Sequence, residues 1–233
     1  MPPKPARPTG PPPKRVPLLL MRVWDAPTRL FHWAIVLLLI TSYVSIKLDR
    51  VTLHEWSGYT VMTLLLFRLA WGLVGSDTAR FRNFLRSPAS AIAHLASLPK
   101  REPDRELGHN AAGGWMVLLM LLALAVQVAT GLFAGDPIEG GGPFVDQPGE
   151  ATQKLLDRIH AINVNVLLTL VALHVLAITL YAIIKRHNLV QPMLTGKKRL
   201  PADTRQPRFA SPALAALILA VAAASVWTLL RFG

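Results

Sequence analysis

An all-α integral membrane fold follows from three features of the sequence. Five apolar runs are each about twenty residues long, the length a helix needs to cross a bilayer. Basic residues gather in the connections between the runs, and histidines sit in or at the edges of four of them. The expected architecture is a four-helix transmembrane bundle with a fifth, C-terminal transmembrane helix. It divides into a Pro-rich basic tail (1–21), the bundle (22–190), a basic linker (191–209) and the last helix (210–233).

The chain is 52% hydrophobic, carries a formal charge of +12 and has no cysteine. Without cysteine there is no disulfide, thiolate metal site, iron–sulfur cluster or C-x-x-C-H attachment site. The positive charge flanks apolar runs instead of forming a patch of its own, so it speaks for topology and anionic lipid, not nucleic acid.

Residues 1–21, rich in Pro and Lys/Arg, read as a disordered tail. The first span is expected over 28–46, opened by VWDAPTRLFHW with Pro27 at the helix start. A connection of about six residues leads to an antiparallel second span, 53–74. The third span covers 110–133, and SPASAIAHLASL before it suits a short surface helix. An acidic, Gly- and Pro-containing loop at 134–157 precedes and overlaps the fourth span, 155–186. The fifth, 212–230, is Ala-rich and reads as a packing or anchoring helix.

Nineteen Lys and Arg residues fall on the side of the N-terminus and five on the other. The positive-inside rule then places the N-terminus in the cytoplasm and the C-terminus outside.

The fourth span carries His160 and His174, fourteen positions apart. At ~100° per residue their side chains differ by only ~40° around the helix and lie ~21 Å apart along it. Ionisable groups inside a span are costly and call for partners. By depth, His54 pairs with His160 at the outer level and His32 with His174 at the inner level. Two facing imidazoles at each of two levels suit two bis-histidine b haems better than zinc, which takes three or four protein ligands, and no carboxylate or thiolate is expected at either depth.

Gly58, one turn beyond His54, and AAGG at 111–114 would make room for a macrocycle. Arg68, fourteen residues after His54, shares its helical face at the inner level, where a propionate would balance its charge. Arg29 is a second inner candidate, and Lys154 and Arg158 are outer ones. His109 has three readings: a residue bonding a propionate, a proton-handling group at a quinone site, or an alternative inner ligand. Of these the first is favoured. His94 and His187 are expected in solvated connections, and Trp24, Trp33, Trp56, Trp71 and Trp115 at the membrane interface. Asn163 and Asn165 are polar residues within a span that would bridge helices or face the cleft.

The phrases VWDAPTRLFHW, HEWSGYTVMTLLLFRLAWGLVG, GHNAAGGWM and IHAINVNVLLTLVALH resemble the bacterial cytochrome b561 family, including the cytochrome b subunits of nickel–iron hydrogenases. The resemblance covers about residues 20–190. It implies a di-haem membrane cytochrome that exchanges electrons with quinone, with His32, His54, His160 and His174 as ligands. The tail and fifth helix fall outside it.

The function expected is electron transfer between the quinone pool and an external partner, a periplasmic cytochrome or oxidoreductase subunit docking on the acidic outer loop. Homo-oligomerisation is left open. Two rivals stand beside it: a superoxide:quinone oxidoreductase, and a haem-free transporter or assembly subunit using its histidines for protons.

Overall fold

The computed structural model describes residues 16–100, 104–136 and 140–232. The Pro-rich residues 1–15 lie outside them. In chain order the elements are β1 (Leu18–Arg22), α1 (Ala26–Lys47), α2 (Val51–Val74), α3 (Phe81–Phe84), α4 (Pro88–Ala96) and α5 (Ala111–Gly131). Then come β2 (Gly135–Asp136), β3 (Gly140–Gly141), α6 (Glu150–Leu180, running on as one π-helical stretch, Tyr181–Lys185), α7 (Val190–Thr195), β4 (Lys197–Pro201) and α8 (Pro212–Phe232).

Five helices are long and apolar enough to span a membrane: α1, α2, α5, α6 with its π-helical end, and α8. Their starts are written locally. Asp25 caps α1 by accepting from Thr28 N at 2.7 Å, with Pro27 in the first turn, and Asn110 caps α5 by accepting from Gly113 N at 2.7 Å. Helix α6 begins at Glu150, five residues before the apolar run, and reaches 36 residues with its π-helical end. At 1.5 Å per residue that is about 54 Å, well beyond a hydrocarbon layer of about 30 Å, so part of it stands outside the lipid.

The helices pack in pairs, α1 on α2 and α5 on α6, and α2 joins the pairs through α5. One core forms where Val61 and Leu65 of α2 meet Leu121 and Leu124 of α5 and Leu167 of α6, with Phe31 and Ile35 of α1 packed against it. The fifth helix lies on the outside of α2. Its Ala215 and Ala222, seven residues apart on one face, meet Phe67 and Trp71.

At the end of the bundle where α1 starts and where most of the basic connections lie, hereafter the basic end, the chain builds a cap. Strand β1 pairs antiparallel with β4, Leu18 opposite Pro201 and Arg22 opposite Lys197. This corrects the expectation of a disordered tail to residue 21, and the basic linker at 191–209 carries α7 and β4. The alternation that the run LLLMRV conceals turns Met21 and Val23 inward with Trp24 onto Leu200, a partner some 180 residues later. Gly196 makes the turn before β4 at φ 78, and a Cβ there would come 2.9 Å from Trp24 O. The short surface helix expected in the 75–108 connection is α4. The acidic connection at 134–157, expected to be loosely structured, carries the β2–β3 ribbon, buries Phe144 and Val145, and from Glu150 onward is already α6. Glu139 lies outside the described residues.

Candidate functional site

The fourteen-residue spacing on α6 delivers His160 and His174 to two levels, and each meets a histidine from another helix. His32 of α1 faces His174 at the basic end, ring centroids 6.4 Å apart. His54 of α2 faces His160 at the far end, centroids 6.2 Å apart. A metal–imidazole bond is about 2 Å long, so two imidazoles sharing one ion have centroids roughly 6 Å apart. Both gaps have that width.

At the far end the tautomers are set by carbonyl partners. His54 Nδ1 lies 2.9 Å from Ser42 O and His160 Nδ1 lies 3.0 Å from Gln127 O. A carbonyl only accepts, so each Nδ1 carries the proton and leaves the lone pair on Nε2; that of His160 accepts from Gln127 Nε2 at 3.0 Å, a bond that a metal there would displace. No group of three or more His, Asp, Glu or Cys side chains able to hold a metal exists among the described residues. A centre with two protein donors must bring its remaining donors with it, as an iron porphyrin does. Space is provided too. A side chain at Gly58 would meet nothing within 4 Å, whereas one at Gly131 would come within 2.9 Å of the His160 ring.

A family model described as prokaryotic cytochrome b561 matches residues 23–196, which include all four paired histidines. The chain belongs to the prokaryotic cytochrome b561 family. It is therefore a multi-pass membrane protein of a haem b family. Searches of curated proteins and of solved structures return no match.

The remaining predicted site residues of this cytochrome b561 divide. Arg68 is buried in α2, donates to Ala79 O at 3.2 Å and lies over the Phe81 ring. The carboxylate of Asp25 acts on it electrostatically, so the protein already supplies an anion, and a propionate is not required to explain the charge. Arg29 donates from one terminal nitrogen to Leu194 O at 2.5 Å, while its Nε is buried without a partner. Lys154 is exposed and paired with Glu150, and Arg158 is also exposed. Gly114 serves the connection, not a cofactor: a Cβ there would come 2.8 Å from Phe84 O.

His109 is wedged between Trp24 and Phe84, ring centroids 4.8 Å from each, and its buried Nδ1 has no hydrogen-bond partner. Burial, with Arg68, His174 and His32 close enough to add repulsion, lowers its pKa to about 3. It is a neutral group beside the basic-end pair.

Other expectations change. Trp24 and Trp71 are buried, not interfacial, and Trp71 Nε1 donates to Asp25 Oδ2 at 3.1 Å. His94 is not simply solvated, because its Nε2 shares a proton with Tyr181 Oη across 2.6 Å, and His187 lies 3.7 Å from Asp104. Asn163 bridges helices as anticipated, donating to Ala123 O and Gln127 Oε1; Asn165 bonds within its own helix and is exposed. Two carboxylates, Glu55 and Asp157, act electrostatically on the far-end pair, contrary to the expectation of none at that depth. Gln127, Ser42, Thr130 and Gly131 escaped sequence reasoning. Gln127 alone left a signal, as the one amide within α5.

Proposed function

We propose that this cytochrome b561 carries electrons across the membrane through two haems b, between an external redox partner and the quinone pool. His32 with His174 would hold one haem and His54 with His160 the other. The observation that carries the reading is the two imidazole pairs, one pair at each level and each at the spacing of a shared iron. Bound haem would supply one-electron Fe(III)/Fe(II) chemistry.

The chain's own contributions are of three kinds. Carbonyls on α1 and α5 orient the far-end imidazoles. The apolar core between the pairs excludes water from the path. Arg29 and Arg68 place positive charge at the basic end, where propionates would gain from it. By the distribution of Lys and Arg, the basic end faces the cytoplasm and the far end the periplasm. The far-end loop keeps Asp146 exposed for a basic partner, while Asp157 is engaged with Gly135 N and Glu150 with Lys154.

Purified protein reduced with dithionite should show narrow low-spin b-type bands, and a water-soluble quinone should reoxidise them. A colourless preparation, or one that quinone leaves reduced, would overturn this reading.

A further inference from the structure

The two histidine pairs stand in unlike surroundings, and the difference runs one way. At the far end both imidazoles donate from Nδ1: His54 to Ser42 O at 2.9 Å, with Ser42 Oγ at 3.0 Å, and His160 to Gln127 O at 3.0 Å. Thr130 Oγ1 lies 3.2 Å from the same His160 Nδ1, and its own proton goes to Val126 O at 2.7 Å, so the oxygen accepts from the ring. At the basic end, His32 Nδ1 is buried with no partner, and His174 makes no hydrogen bond among the described residues.

Donating Nδ1–H to an acceptor makes an imidazole more basic toward its metal. A more basic ligand stabilises the higher charge of Fe(III) over Fe(II) and makes the iron harder to reduce. Fixed charge acts in the same sense. Asp157 lies one turn before His160 on α6, and negative charge favours the ferric state. At the basic end, Arg68 joins His32 and His174 around His109, and a buried positive charge favours the ferrous state. Asp25 offsets part of that charge, which leaves the hydrogen bonds as the larger difference.

We propose that Thr130, together with the Ser42 and Gln127 carbonyls, acts through His54 and His160 to make the far-end haem the lower-potential centre, so that an electron entering there runs downhill to the basic end. With haem held by both pairs, that transfer would be a one-electron Fe(III)/Fe(II) exchange, the far-end pair losing the electron that the basic-end pair gains. The inference rests on the two-haem reading above. Thr130 is a positioning residue in it, since it touches a ligand and not the metal.

The test is a potentiometric titration of the full-length protein, followed in the reduced b-type band, for the wild type, Thr130→Val and Thr130→Ser. The wild type should titrate in two components. Thr130→Val, close to isosteric and remote from the basic-end pair, should move only the lower component, and move it upward; Thr130→Ser should return it. The inference is overturned by coincident midpoints, by a Thr130→Val shift in the upper component, or by no shift at all, with the two-haem reading left standing. A protein that holds no haem, or only one haem per chain by pyridine haemochrome, removes that reading and this inference together.

Discussion

One carboxylate of Asp25 serves two helices: Oδ1 accepts from Thr28 N at 2.7 Å and Oδ2 from Trp71 Nε1 at 3.1 Å, across 46 residues of chain. The residue that starts α1 therefore also fixes the end of α2, and its charge acts on the buried Arg68.

Asp25→Ala removes the cap and leaves a buried indole N–H without an acceptor. A lost cap costs about 1 kcal/mol and an unsatisfied buried donor about 1–3 kcal/mol. The variant should lose at least about 2 kcal/mol in thermal or denaturant unfolding in detergent. Asp25→Asn keeps an acceptor for Thr28 N and should recover roughly half. Equal stability of all three proteins would contradict the double role.

Much of the site was legible because a helix converts spacing into direction. Fourteen residues place His160 and His174 on one side of α6, and single histidines on α1 and α2 supply their partners. The cap was not legible. Leu18 to Arg22 follow a Pro-rich run, and the strand that pairs with them begins at Lys197, so no local pattern joins them. Trp71 was misread for a related reason. Position along a span gives depth in the membrane, while burial beneath α8 and the cap depends on which face the neighbours cover.

Gly131→Ala should damage the far-end pair selectively. The new methyl would stand 2.9 Å from the His160 ring, closer than Cβ atoms come to carbon, and Gln127 and Thr130 hold that ring from the other positions. Haem content should fall from about two per chain toward one. Gly58→Ala, where nothing lies within 4 Å in the protein, serves as the probe of the cleft: haem lining it would also be displaced. Full haem content in Gly131→Ala would refute the far-end geometry.

His109 gives a pH dependence. Its folded-state pKa of about 3 lies below the ~6.5 of an unfolded histidine. Between those values the unfolded chain binds a proton that the folded one refuses, so stability falls as pH is lowered from about 6.5 toward 3. Above about 6.5 both states are neutral and His109 adds no slope. Unfolding midpoints from pH 7 to 4 should decline more steeply for the wild type than for His109→Gln. Parallel declines would place His109 in solvent.

Tyr181→Phe removes one hydroxyl that takes Nδ2 of Asn110 at 3.0 Å and shares a proton with His94. That hydroxyl holds α4 and the start of α5 to the π-helical end of α6. The expected cost is about 1–3 kcal/mol, concentrated at the basic end. Limited proteolysis should cut the connection around α4 faster in the variant; an unchanged rate would show that α4 is held by other means.

The most direct test of the account is haem stoichiometry across single histidine substitutions, measured as pyridine haemochrome per chain. The wild type should hold about two haems. Substituting His32 or His174 should empty the basic-end level, and substituting His54 or His160 the far-end level. Each variant should then hold about one haem, or none where one level supports the other. A protein that keeps its full pigment after any of the four is replaced by Ala contradicts the paired-imidazole account.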